Sequence, residues 1–227
     1  MAIAALGRED TFINTMSPFD KRRDYSSGEL LESDVAEDPF TQFRRWFDVA
    51  DANEHIVEAG AMTVATATSD GMPSARVVLL RNVDTGFVFF SNYASRKGAE
   101  LETNPHAAIV FHWAPLEQQV RIEGDVTLLS DKESDAYFAS RPHKSRLGAL
   151  ISKQSTVIDS AEVLRSQLDE LEKQYPEDAV VPRPDNWGGY RVTPRTVEFW
   201  QGRSSRLHDR LRYRRDGDAW MLERLAP

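Results

Sequence analysis

Cysteine is absent from all 227 residues. That removes disulfides, thiolate nucleophiles and cysteine-held metal centres together. No apolar run approaches the roughly 20 residues that a membrane-spanning helix needs. The opening stretch Met1-Ala2-Ile3-Ala4-Ala5-Leu6 is apolar only briefly and follows no basic segment. It is too short for the core of a signal peptide, so the expectation is a cytoplasmic protein. Also missing are Gly-x-Gly-x-x-Gly, a Walker loop, His-Glu-x-x-His and Gly-x-Ser-x-Gly. A Rossmann fold, a P-loop, a zincin and an α/β-hydrolase therefore lack support. Positive charge is scarce: 28 Lys and Arg against 36 Asp and Glu give a net charge of -8. That balance argues against a general binder of nucleic acid or of anionic membranes. Hydrophobic residues at 41% and charged residues at 28% suffice for the core of one domain, which a dimer interface could complete.

Against this acidic background one basic island stands out. Between Arg191 and Arg215 there are eight arginines and only two acids, Glu198 and Asp209. The island contains Glu198-Phe199-Trp200-Gln201-Gly202 and, four residues on, Arg206-Leu207-His208-Asp209-Arg210. A local cationic patch of this kind suits a small anion, and the planar arginine fork suits phosphate in particular.

Residues 1–36 are aperiodic and read as an N-terminal arm, with 37–227 as the folded domain. Within the arm, Lys21-Arg22-Arg23-Asp24-Tyr25 reads by itself as a solvated charge run. Asp38-Pro39 predicts a helix start. Phe40, Phe43, Trp46, Phe47 and Ala50 then follow at helical spacing as a core-facing stripe. From Ala61 the period changes. Strands are predicted over 61–68, 74–81, 87–90, 107–113 and 119–129, with turns at Ser69-Asp70-Gly71 and over 82–86. A short helix is expected over 95–101, and further helices over 131–140, 144–152 and 161–174. Separate closing strands are expected over 187–192, 196–200, 211–214 and 219–224, the last two joined at Asp216-Gly217. Hairpins without crossover helices favour an antiparallel barrel, mainly β with flanking helices.

Several constellations could hold a ligand. Arg76 and Arg81, five apart in a strand, should point to opposite faces, although two edge arginines can equally serve solubility. Phe90-Ser91 leads into Ser95-Arg96-Lys97, which gathers hydroxyls and cations at a helix N-terminus, where phosphate binding and plain capping are both possible. Tyr137, Arg141 and Ser145 recur at four-residue spacing, and Pro142 should break the helix there so that Arg141 and a new N-terminus aim at one point. Gln119, Gln154 and Ser155 offer neutral donors and acceptors of the sort a heteroaromatic ring edge needs. The arginines around His208 would tend to keep it neutral by repulsion, and its neighbours favour a substrate contact over a structural hydrogen bond.

Together these segments resemble the FMN-dependent pyridoxine/pyridoxamine 5′-phosphate oxidase family. The resemblance runs from about Arg22 to the C-terminal Leu225-Ala226-Pro227 and is most specific at 198–210. Supporting matches are Arg-x-Val-Leu-Leu at 76–80, Ser-Arg-Lys at 95–97, Tyr-Phe-x-x-Arg-Pro at 137–142 and Trp-Gly-Gly at 187–189. It implies an antiparallel FMN-binding split β-barrel and a homodimer, with FMN at the subunit interface. Contacts to FMN are implied for Arg76, Val77, Val78, Leu79, Leu80, Arg81, Phe90, Ser91, Arg96, Lys97, Gln119, Gln154, Ser155, Trp200 and Arg210. Substrate contacts are implied for Arg81, Tyr137, Arg141, Ser145, Arg206, Leu207 and His208, of which Arg206 and His208 would flank the reacting carbon. Arg22, Arg23 and Tyr25 match an arm segment that closes over the substrate in the family, which displaces the charge-run reading. The implied activity is oxidation of pyridoxine or pyridoxamine 5′-phosphate to pyridoxal 5′-phosphate, with dioxygen reduced to hydrogen peroxide. No metal, nucleic acid or membrane is implied. Two departures stand out: Arg81 where lysine is usual, and Gln118 where arginine commonly precedes the Gln-Val pair. Alternatives are another flavin- or deazaflavin-dependent split-barrel reductase and a non-catalytic carrier of pyridoxal phosphate or flavin.

Overall fold

A computed structural model describes residues 24–227; Arg22 and Arg23 lie outside the described residues. Helix α1 (Pro39–Asp51) begins where the Asp38 carboxylate accepts hydrogen bonds from the N–H groups of Phe40 and Thr41, each at 3.0 Å. Proline is tolerated at its first position because that N–H would have no helical partner. The predicted stripe forms: Phe43 meets Phe87 and Phe111 at centroid distances of 4.9 and 5.1 Å, and Trp46 meets Phe199 edge-on at 5.2 Å.

The strands are β1 (Ala61–Ala67), β2 (Pro73–Leu79), β3 (Asn82–Val83), β4 (Phe87–Asn92), β5 (His106–Trp113), β6 (Gln118–Leu128), β7 (Trp187–Gln201), β8 (Asp209–Asp216) and β9 (Ala219–Arg224). Every pairing is antiparallel. The order is β2-β1-β5-β6-β7-β4-β3, with β8 on β7 and β9 on β8. Alternate residues such as Met62 and Val64, Ile109 and Phe111, Val120 and Ile122, and Val197 and Phe199 are fully buried. This is the period-2 pattern of strands with one face on a core. The Arg81 N–H donates to the Val88 carbonyl at 2.8 Å, which carries the chain from β2 across to β4 and curls the sheet into a half-barrel.

Four further helices flank it: α2 (Arg96–Thr103), α3 (Asp131–Ser140), α4 (His143–Ile151) and α5 (Ala161–Gln174). Residues of α3, α4 and α5 share a second apolar cluster with Trp187, around Phe138 and Leu147.

Two expectations about the strands need correction. Residues 187–192 and 196–200 are not separate strands but one, β7. Pro194 is accommodated because the β6–β7 register shifts between Glu123 and Gly124, and a bulge tolerates the missing donor. There a Cβ on Gly124 would lie 2.2 Å from the Thr193 carbonyl oxygen, so only glycine fits. The second turn is shorter than read, since Asn82 and Val83 pair with Val88 and Phe87. The arm's final part, 24–36, lies on the barrel. Leu30 and Ala36 are buried, and the Ser26 and Ser27 N–H groups both donate to Glu117 Oε2 at 2.8 Å. Arg224 grips Glu32 through Nε and Nη2 at 2.7 and 2.8 Å. Among the described residues no helix is long and apolar enough to cross a membrane.

Candidate active site

One cleft of about 600 Å³ opens where β2, β4, the start of α2 and the α3–α4 break converge. It is lined by Arg76, Val77, Val78, Leu79, Arg81, Phe90, Ser91, Arg96, Lys97, Tyr137, Arg141, Gln154 and Ser155. Residues far apart in the chain, singled out from the sequence, thus share one cavity. Ser74, Ala75 and Trp187 also line it. Leu80 does not; its amide donates to Gly60 O at 2.8 Å and its side chain packs on the main core. Arg76 and Arg81 were expected on opposite faces, yet both reach this cleft. Strand β2 ends at Leu79, so the alternation stops before Arg81.

The charge balance inside the cleft is built around Glu100, which is 4% exposed. Its carboxylate accepts from Ser74 Oγ at 2.6 Å, Arg76 Nη2 at 3.3 Å, Arg96 Nε at 2.9 Å and the Thr66 hydroxyl. Burial alone would raise its pKa, but the bonds from Ser74, Thr66, Arg96 and Arg76 outweigh that and hold it down to about 2. Glu100 was not singled out from the sequence; its spacing four residues after Arg96 on a helix was the available signal. Lys97 is 6% exposed, and among the described residues its ammonium hydrogen-bonds only neutral oxygens: Ser91 Oγ at 2.9 Å, Ser95 Oγ at 3.3 Å and Gln154 Oε1 at 2.5 Å. Burial, reinforced by repulsion from Arg76, lowers its pKa to about 8.

Arg141, which also lines the cleft, closes α3 in extended backbone, as expected of a residue before proline. Helix α4 starts at His143 with Pro142 in the N-cap position, one residue earlier than the 144–152 span read from the sequence. The Arg141 guanidinium is half-buried, burial pushes its pKa down, and its buried Nη1 has no hydrogen-bond partner among the described residues. A buried cationic donor left unpaired is costly, so this geometry fits an anionic group. Beside it Phe90 and Tyr137 stack at 3.8 Å, giving the cleft a flat aromatic wall.

A second set of singled-out residues lies on neighbouring strands and does not line this cleft. Gln119, Trp200 and Arg210 are consecutive partners across β6, β7 and β8. Trp200 packs on His208 at 4.7 Å, and Tyr25 of the docked arm meets both rings at 5.7 and 5.6 Å. His208 Nδ1 accepts the Arg203 N–H at 3.1 Å. Arg210 is bound by Glu198 through Nε at 2.7 Å and Nη2 at 3.1 Å. Ser205 and Arg206 both take positive φ, at 56° and 62°, a strained pair that exposes Arg206 and Leu207. Ser145, on α4, is exposed and is not among the cleft-lining residues.

A curled antiparallel half-barrel, flanked by helices and carrying a cationic, aromatic-walled cleft, defines the split-barrel flavoprotein class of oxidoreductases. A family model for pyridoxamine 5′-phosphate oxidase matches residues 50–201, and one for the pyridoxine 5′-phosphate oxidase C-terminal dimerisation region matches 187–227. The chain belongs to this oxidase family. It is 58% identical over 209 residues to a pyridoxine/pyridoxamine 5′-phosphate oxidase of Thermosynechococcus vestitus, covering 92% of this chain and 98% of that one. To the Salinibacter ruber protein of the same name it is 54% identical over 211 residues, covering 92% and 98%. Among solved structures it is similar to PhzG from Burkholderia lata, in complex with tetrahydrophenazine-1-carboxylic acid. The TM-score is 0.82 at 35% identity, covering 89% of this chain and all of that one.

Proposed function

We propose that this protein oxidises pyridoxine 5′-phosphate or pyridoxamine 5′-phosphate to pyridoxal 5′-phosphate with dioxygen as the acceptor. The observation that carries this reading is a single cleft lined by Arg76, Arg96 and Lys97 together with Arg141, whose buried Nη1 has no hydrogen-bond partner among the described residues. Two cationic clusters suit two phosphates, one on the cofactor and one on the substrate. FMN is the cofactor, and when bound it supplies the hydride acceptor and the route by which electrons reach dioxygen.

The protein's share of the chemistry is alignment. Lys97, Arg96 and Arg76 hold the cofactor phosphate at the start of α2, while Ser91, Gln154 and Ser155 provide neutral contacts beside it. Arg141, Tyr137 and Arg81 take the substrate phosphate, and Ser145 sits on the helix that follows Arg141. The wall formed by Phe90 and Tyr137 keeps water from one side. With its phosphate fixed, the substrate ring needs little further ordering before the reaction. Arg206 and His208, backed by Trp200 and overlain by Tyr25, orient the carbon that becomes the aldehyde, with Leu207 beside them. Because Gln119, Trp200, Arg210 and the 206–208 loop do not line this chain's cleft, a second copy of the chain brings them there, and the arm comes with them. Oxidation of the amine leaves an imine, which water hydrolyses to the aldehyde and ammonia.

The test is aerobic turnover of each phosphorylated substrate by purified protein supplied with FMN. Pyridoxal 5′-phosphate and peroxide should appear in equal amounts. Bound FMN with no product from either substrate would move the function to another flavin reaction.

A further inference from the structure

The Trp-Gly-Gly segment at 187–189 has no part in the reaction proposed above, yet Trp187 sits in the wall of the cleft. Its indole is 7% exposed and lies parallel to Phe90 at 5.5 Å and to Tyr137 at 6.2 Å, with interplanar angles of 15° and 3°. The Arg141 guanidinium carbon sits over the same indole, 4.7 Å from its centroid, in a cation–π arrangement. The glycines that follow make this possible. A Cβ on Gly189 would come within 2.9 Å of the Phe90 ring, and one on Gly188 within 2.0 Å of the Tyr93 hydroxyl. The backbone is pinned as well. Arg183 Nη1 donates to the Trp187 carbonyl at 2.7 Å, while its Nε and Nη2 bind Asp135 and Asp131 on α3 at 2.6 and 2.7 Å. Helix α3 carries Tyr137, so one arginine ties Trp187 to the helix of its stacking partner.

We infer that Trp187 is a positioning residue for substrate selection: its indole face holds the Arg141 guanidinium in one place in the wall of the cleft, and thereby sets the preference for phosphorylated over unphosphorylated substrate. The inference rests on the reading that Arg141 receives the substrate phosphate. Arginine has many rotamers of similar energy, and without the indole beneath it the guanidinium would sample several of them. Trp187 itself needs no contact with the phosphate.

The experiment uses the FMN-loaded protein, with rates normalised to bound FMN, and reads the ratio of kcat/KM for pyridoxamine 5′-phosphate to that for pyridoxamine. Trp187→Leu should lower this ratio about two- to thirty-fold, the span of measured cation–π contributions. Trp187→Phe keeps a flat ring and should restore part of the loss. Arg141→Lys should lower the ratio further than either. Equal loss on both substrates in Trp187→Leu, with the ratio unchanged, would overturn the inference and reduce Trp187 to a packing residue. If Trp187→Leu does not fold, Trp187→Met, which also removes the aromatic face, is read in the same way, and an unchanged ratio there has the same meaning. An unchanged ratio in Arg141→Lys would instead overturn the phosphate assignment on which the inference depends.

Discussion

Lys97 and Glu100 stand three residues apart on one helix, yet burial acts on them in opposite ways. Glu100 is surrounded by donors and stays ionised to about pH 2. Among the described residues Lys97 has only neutral acceptors in hydrogen-bond contact, and it gives up its proton near pH 8. In the ligand-free fold Lys97 therefore binds fewer protons than it does in the unfolded chain between about pH 8 and its usual 10.5. Its own contribution to stability rises with pH across that window. Phosphate binding has the reverse dependence, because it needs the ammonium. The affinity of the FMN-free protein for FMN, followed by quenching of flavin fluorescence, should fall as pH rises from 7 to 9.5. Lys97→Met should bind FMN more weakly and lose that dependence. A wild-type affinity that is flat with pH would remove Lys97 from the phosphate site. Glu100 works in the acid range: its stabilising effect is complete above the ordinary value of 4.5 and is lost as pH falls from there towards about 2.

Most elements were legible because their signals are local: Asp38-Pro39 as a helix start, alternation in β1 and β5, and Gly217 in the left-handed region at the β8–β9 turn. Strand β7 was not, since Pro194 reads as a break and only the bulge at Arg195, opposite Glu123 and Gly124 of β6, shows why the strand continues. The same limit applies to the site. Arg76, Lys97 and Arg141 carry their chemistry in their residue types, whereas the parts of Glu100 and Trp187 emerge from partners across space. The bulge itself makes a prediction. Gly124→Ala would force a methyl group against the Thr193 carbonyl, at a cost of about 1–3 kcal/mol. For a chain of this size that is several degrees of Tm, measurable by thermal unfolding. An unchanged Tm would mean that β6 and β7 can re-register freely there.

At the scale of the whole molecule, the proposed function takes the cleft group and the Trp200–Arg210 group from two copies of the chain, consistent with the match to a dimerisation region over 187–227. Lys97→Met damages the first group and Arg206→Met the second, and each variant alone should be nearly inactive. Co-refolding the two in equal amounts should restore about a quarter of wild-type activity, because random pairing makes half of the dimers mixed and each mixed dimer has one intact site. No recovery on mixing would place both groups in a site made by a single chain.

Trp187 and Trp200 lie on the same strand, thirteen residues apart in sequence, which is roughly 40 Å of strand path. In the proposed arrangement strand β7 is a spacer bar with half of a site at each end. If the site is shared as proposed, an isolated chain carries two half-sites and no whole one. Catalytic competence becomes a property of concentration as well as of folding, governed by the mass action of two chains meeting.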